Sequence, residues 1–135
     1  INAQVLIFLG DGENDLNEIT EGFSGEVYAV RGNCDMRGLY PEERLIELQG
    51  KKIFMCHGHR YGVKYGYNSI FYRGKEVGAD IVLFGHSHIP IIEEEDGLIL
   101  MNPGSISLGM GRLDKTLGYI DLIEGKSPVT YIKEI

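Results

Sequence analysis

Ile81-Val82-Leu83-Phe84-Gly85-His86-Ser87-His88 is the segment whose reading decides the fold. Four successive apolar residues have the length of a strand covered on both faces, and the run stops at a glycine followed by two imidazoles. A buried strand that breaks at Gly presents the next side chains at its carboxyl end, which is where sites collect in an α/β sheet. Three other segments repeat this plan. Residues 5–9 lead to Gly10-Asp11, residues 27–30 lead to Gly32-Asn33-Cys34-Asp35, and residues 53–56 lead to His57-Gly58-His59. One such motif is a weak signal. Four in one chain, each offering Asp, Asn or His, predict a metal site.

The remaining pattern places elements around these strands. Residues 15–21 read as a short helix ended by Gly22, and residues 44–48 alternate as a half-exposed strand does. A helix is expected over 68–77, with Asn68 as N-cap and Gly78 as its stop. Apolar runs at 91–94, 98–101, 117–123 and 129–132 follow. Asp96-Gly97 between the first two is a hairpin signal, and Glu124-Gly125 separates the last two. The first half is therefore βαβ-like and the second mostly antiparallel. The fold class expected is α/β, with two packed mixed β-sheets flanked by helices.

At 135 residues the chain fits a single domain, 1–135, large enough for a real core. With 43% hydrophobic and 24% charged residues it has the composition of a globular protein rather than a disordered one. A net charge of −7 argues against a general nucleic-acid or anionic-membrane binder, since no broad basic face is present to release counterions. Bound divalent cations would invert that field locally, so a small phosphorylated substrate stays allowed. No stretch approaches 18 apolar residues and no signal peptide is visible. Cys34 and Cys56 form neither a CxxC pair nor a disulfide framework. A reducing, cytoplasmic setting is expected, with Cys56 a core residue.

Asp11, Asn33, His57, His86 and His88 are the candidate metal ligands. Carboxylate, amide and imidazole donors suit Mn, Fe, Zn, Co or Ni rather than a thiolate site. His86 and His88 would share a face if extended, and in a tight turn could instead reach two neighbouring ions. Asp11 directly follows a strand-ending glycine and is the best candidate to bridge two ions.

Gly10-Asp11, Gly32-Asn33-x-Asp35, His57-Gly58 and Gly85-His86-x-His88 resemble motifs two to five of the calcineurin-like metallophosphoesterases, and most closely their small single-domain phosphodiesterase branch. The resemblance covers essentially the whole chain, and Asn102-Pro103-Gly104-Ser105 also looks like that branch. It implies two divalent ions, manganese first, with nickel, cobalt, iron or zinc as alternatives. Asp11 would bridge them, Asn33, His57 and His86 would complete one, and His88 would bind the other. A hydroxide held between the ions would attack phosphorus in line, so that a phosphodiester is hydrolysed.

Two departures from the family pattern stand out. The family's opening Asp-x-His motif is absent and would lie upstream of Ile1, where the chain begins in mid-pattern. The expectation is an N-terminally incomplete domain, without its first strand and helix. Without that motif the second ion keeps only Asp11 and His88. In addition, most members carry His where Cys34 stands, although Cys is familiar in the small branch. A thiol donates hydrogen bonds poorly. Substrates with good leaving groups are therefore expected, or His59 as the acid, with Asp35 orienting a neighbour or capping its loop. Catalytic roles thus fall on Asn33, Cys34, Asp35 and His59. The alternative is a protein-binding scaffold of the same fold with little catalysis, as a retromer subunit among the relatives is.

Weaker signals surround the motifs. Tyr61, Tyr65, Tyr67, Phe71 and Tyr72 read as a loop and helix packed on the core, or else as a substrate platform or a face for homo-oligomer formation. Arg60 and Lys64 read as a solvated loop. Residues 102–104 are either a plain turn or a set of N–H groups aimed at an anion.

Overall fold

A computed structural model of the chain describes residues 4–10, 21–33, 35, 40–105 and 116–134. The expected helix over 15–21 falls almost wholly outside them. The strands are β1 (Val5–Phe8), β2 (Glu26–Ala29), β3 (Glu43–Leu48), β4 (Lys51–Cys56), β5 (Ile81–Leu83), β6 (Ile91–Glu95), β7 (Leu98–Asn102), β8 (Thr116–Asp121) and β9 (Val129–Glu134). The α-helix among the described residues is α1 (Asn68–Glu76).

A five-stranded mixed sheet in the order β3-β4-β5-β7-β6 forms the centre. Side-chain alternation along its strands divides the core into two layers. On one face Phe54, Cys56, Val82, Phe84, Leu98 and Leu100 meet Ile70 and Phe71 of α1. That contact is close, because a Cβ on Gly74 of the helix would lie 2.6 Å from Val82 Cγ2. On the other face Ile53, Met55, Ile81, Leu83, Ile99 and Met101 pack against Ile7, Tyr28, Ile120 and Ile132. These come from the parallel pair β1-β2 and the antiparallel pair β8-β9. The architecture is the expected α/β sandwich.

Several local expectations need correction. Strand β1 pairs with β2 alone among the described strands and is half-exposed rather than covered on both faces. The second half is not purely antiparallel, since β7 lies parallel to β5. Tyr67, not Asn68, caps α1, and it does so without a side-chain bond. The stop is as read: Gly78 sits at φ 74° and its N–H reaches Lys75 O. The Asp96-Gly97 turn has positive φ at both residues, 51° and 77°, the geometry a tight right-twisted hairpin requires. Tyr61 and Tyr67 pack on the core while Tyr65 and Tyr72 are exposed, so the aromatic cluster divides between the two readings.

Cys56 is 2% exposed, and burial pushes its thiol up to about 12. Only the thiolate is nucleophilic, so this residue is inert in the folded state. In native protein treated with iodoacetamide at pH 8, Cys56 should stay unmodified by mass spectrometry and react only after denaturation. Rapid native labelling would show that the core opens there.

Candidate metal centre

Three of the four motif loops meet at Gly10. This residue leaves β1 at φ 102°, and a Cβ on it would lie 2.7 Å from Gly32 N and 2.8 Å from His57 Nδ1. Only glycine allows that approach. The fourth loop is attached through the Gly85 N–H, which donates to His57 O at 2.8 Å. The carboxyl ends of β1, β2, β4 and β5 therefore converge.

His57, 2% exposed, follows β4 and faces the Leu9 carbonyl with Nδ1 at 2.8 Å. A carbonyl only accepts, so the ring is protonated at Nδ1 and its Nε2 carries a lone pair. This is the arrangement by which a second partner fixes the tautomer of a ligating imidazole. That Nε2 lies 3.1 Å from His86 Nδ1, with the ring centroids 5.0 Å apart. His59 joins the group, its centroid 5.4 Å from His57 and 6.2 Å from His86. The His59 Nδ1 is buried and has no hydrogen-bond partner.

His86 and His88 occupy the left-handed region at φ 67° and 59°, so the segment is a tight turn, not an extended strand. Non-glycine residues held there are strained, and such strain gathers at functional sites. Asn102, fully buried at the end of β7, holds the turn. Its Nδ2 donates to Gly85 O at 3.1 Å and Ser87 Oγ at 3.0 Å, and its Oδ1 accepts the Gly104 N–H at 2.9 Å. The Gly104 N–H is thereby spent internally, which favours the turn reading of residues 102–104. Replacing Asn102 by Leu leaves these groups buried and unpaired. The thermal midpoint should fall by about 5–10 °C; an unchanged midpoint would show that the bonds contribute nothing.

Asn33 is exposed in the loop after β2, and that loop is closed by Asp35, whose carboxylate accepts the Gly32 N–H at 2.9 Å. Asp35 caps its loop and so helps aim Asn33. Arg60 is not a free solvated cation, since it pairs with Glu42 at 2.8 Å. Asp11 and Cys34 lie outside the described residues. Sequence reasoning missed Glu42, and it noted Asn102 only as part of a turn. An Asn before Pro-Gly was visible, but its partners, 15 and 17 residues away, were not.

Two nitrogens ligating one ion at about 2.0–2.1 Å stand roughly 2.8–3.4 Å apart, from right-angle to tetrahedral geometry. The 3.1 Å between His57 and His86 fits that interval. Among the described residues no group of three or more His, Cys, Asp or Glu side chains is placed to hold an ion. The pair accordingly forms part of a donor set to which Asp11, Asn33 and His88 are the other candidates.

The model of the calcineurin-like phosphoesterase superfamily domain matches residues 1–124. A probable metallophosphoesterase of Bacillus subtilis, YsnB, is 35% identical over 130 residues, covering 96% of this chain and 76% of its own. The phosphodiesterase YfcE of Escherichia coli is 27% identical over 141 residues, covering 88% of this chain and 73% of its own. Among solved structures, Entamoeba histolytica Vps29 complexed with zinc has a TM-score of 0.77 at 20% identity, covering 97% of this chain and 82% of that one. It shares the fold.

Proposed function

The chain belongs to the calcineurin-like phosphoesterase superfamily, and from that premise we propose that it is a metal-dependent phosphodiesterase acting on a small phosphorylated diester. The observation that carries this reading is the His57–His86 nitrogen pair at 3.1 Å, with the His57 tautomer fixed by Leu9. A similar protein is itself named a phosphodiesterase.

His57, His86 and Asn33 would hold one divalent ion, His88 a second, and Asp11 would be shared between them. When bound, two such ions, manganese first, supply a clamp on the phosphoryl group and lower the pKa of water. The residues of the chain do the rest. The Leu9 carbonyl keeps the His57 lone pair aimed inward, and Asp35 holds the loop that offers Asn33. His59 is the acid that protonates the leaving oxygen, because its unpaired Nδ1 lies beside the two ligating rings and Cys34 is a poor donor. A reducing cytoplasm suits both thiols.

The test compares initial rates on bis(p-nitrophenyl) phosphate and p-nitrophenyl phosphate with Mn²⁺. The diester should turn over at least about tenfold faster in kcat/KM, since one anionic charge fewer faces a protein of net charge −7. Equal or reversed rates would sink the diester assignment. A second reading, the scaffold with little catalysis, is favoured by Cys34 at the position of the family's usual His. It predicts no turnover of either ester by protein that holds its ions.

A further inference from the structure

Two adjacent carboxylates at the start of β3, Glu42 and Glu43, each tie the turn that carries His59 to another part of the fold. Glu42 accepts from Arg60 through both oxygens, at 2.8 and 2.9 Å, and from Arg31 at 2.7 Å. Glu43 accepts from the Tyr61 hydroxyl and, at 3.3 Å, from Arg73 of α1. Arg60 and Tyr61 are the second and third residues of the short 3-10 turn His59–Tyr61. The turn is thus held on one side to the loop of Asn33, through Arg31, and on the other to the helix.

The turn has little else to define it. Three residues of 3-10 helix are marginal alone. It is flanked by Gly58 at φ 103° and Gly62 at φ 61°, and no side chain caps it. Strand pairing adds to the anchorage, since Glu43 lies opposite Cys56, the residue before His57. Partly exposed ion pairs contribute little stability, so a network of this form matters for geometry. The Arg31 and Arg60 guanidinia hold the Glu42 carboxyl below the usual carboxylate range, so it stays ionised at neutral pH. His59 itself keeps its buried Nδ1 unpaired, which costs free energy unless that nitrogen has another use.

We propose that Glu42 and Glu43 are positioning residues for the His59 imidazole, with Glu42 also setting the Asn33 loop against it. The proposal rests on the phosphodiesterase reading for its kinetic consequence but not for its structural one. Glu42→Gln, His59→Ala and the double variant are compared on bis(p-nitrophenyl) phosphate and on diphenyl phosphate, whose leaving group is poorer. Glu42→Gln should lower kcat on diphenyl phosphate about tenfold more than on the nitrophenyl diester, with KM little changed. In the His59→Ala background it should have less than about a twofold further effect. Arg60→Met should reproduce this pattern and Arg60→Lys should largely restore it.

Equal losses on both diesters, or losses that multiply in the double variant, would overturn the assignment. The independent readout is the ¹⁵N resonances of the His59 ring, which should shift and broaden in Glu42→Gln while those of His57 stay in place. Unmoved His59 signals would also overturn it. Absent turnover in the unsubstituted protein would count against the phosphodiesterase reading alone and leave the resonance test to decide.

Discussion

His86→Ala is expected to lower kcat/KM for bis(p-nitrophenyl) phosphate by about a thousandfold or more, which is roughly 4 kcal/mol of transition-state stabilisation. The argument starts from His57. Its Nδ1 is committed to the Leu9 carbonyl, so its Nε2 can only accept a proton or ligate, and the partner it faces is His86 Nδ1. Removing that partner takes away half of the nitrogen pair that fits one ion. Loss of a hydrogen bond behind a ligand typically costs 10–100-fold, and loss of the ligand itself costs more. The backbone adds a second expectation. At φ 67° His86 is strained, and His86→Gly relieves the strain. The ion-free protein should then gain up to about 1 kcal/mol of stability in urea unfolding while turnover disappears. A rise in stability with a fall in activity marks a residue kept for chemistry. A fall in both would make His86 structural.

Gly10→Ala should be the most damaging small substitution in the chain. At φ 102° an L side chain is already strained, and the added methyl would lie within 3 Å of Gly32 N, Gly32 Cα and His57 Nδ1. The first two are backbone and cannot swing away, and the third is fixed by its bond to Leu9. Strain and overpacking together should cost roughly 3 kcal/mol. Relief requires the β1 and β2 ends to separate, or the His57 ring to turn out of its bond with Leu9. Either movement also spoils the nitrogen pair. Circular dichroism melts and Mn²⁺ titration of the same sample measure both losses. Unchanged melting with unchanged metal affinity would mean that the three loops do not converge as described.

The two layers of the sandwich were legible because burial writes itself as apolar runs, and the four site-bearing strands were each read to within two residues. The site was legible for a related reason: a glycine and a polar donor after a buried strand have few other uses. What could not be read is whatever depends on distant partners. The Asn102 amide reaches Gly85 and Ser87 across the sheet, and Glu42 collects two arginines from separate loops. Neither leaves a periodicity. Tyr67 displaced Asn68 as cap of α1 because ring packing against Phe84, with centroids 5.4 Å apart, decides where that helix begins. The local preference of Asn for caps was the weaker influence. The left-handed conformations of His86 and His88 were likewise invisible, since nothing in Gly-His-Ser-His distinguishes a strained turn from a strand end.

Stripping and reloading the ions tests the central claim most directly. Full-length protein is dialysed against EDTA and titrated with Mn²⁺, and bound manganese and bis(p-nitrophenyl) phosphate turnover are measured on the same samples. Activity should vanish on stripping and return in proportion to occupancy, with His57→Ala and His86→Ala neither holding the metal nor recovering turnover. Manganese that rebinds at the histidine site without restoring hydrolysis of any diester would contradict the enzyme and leave the scaffold.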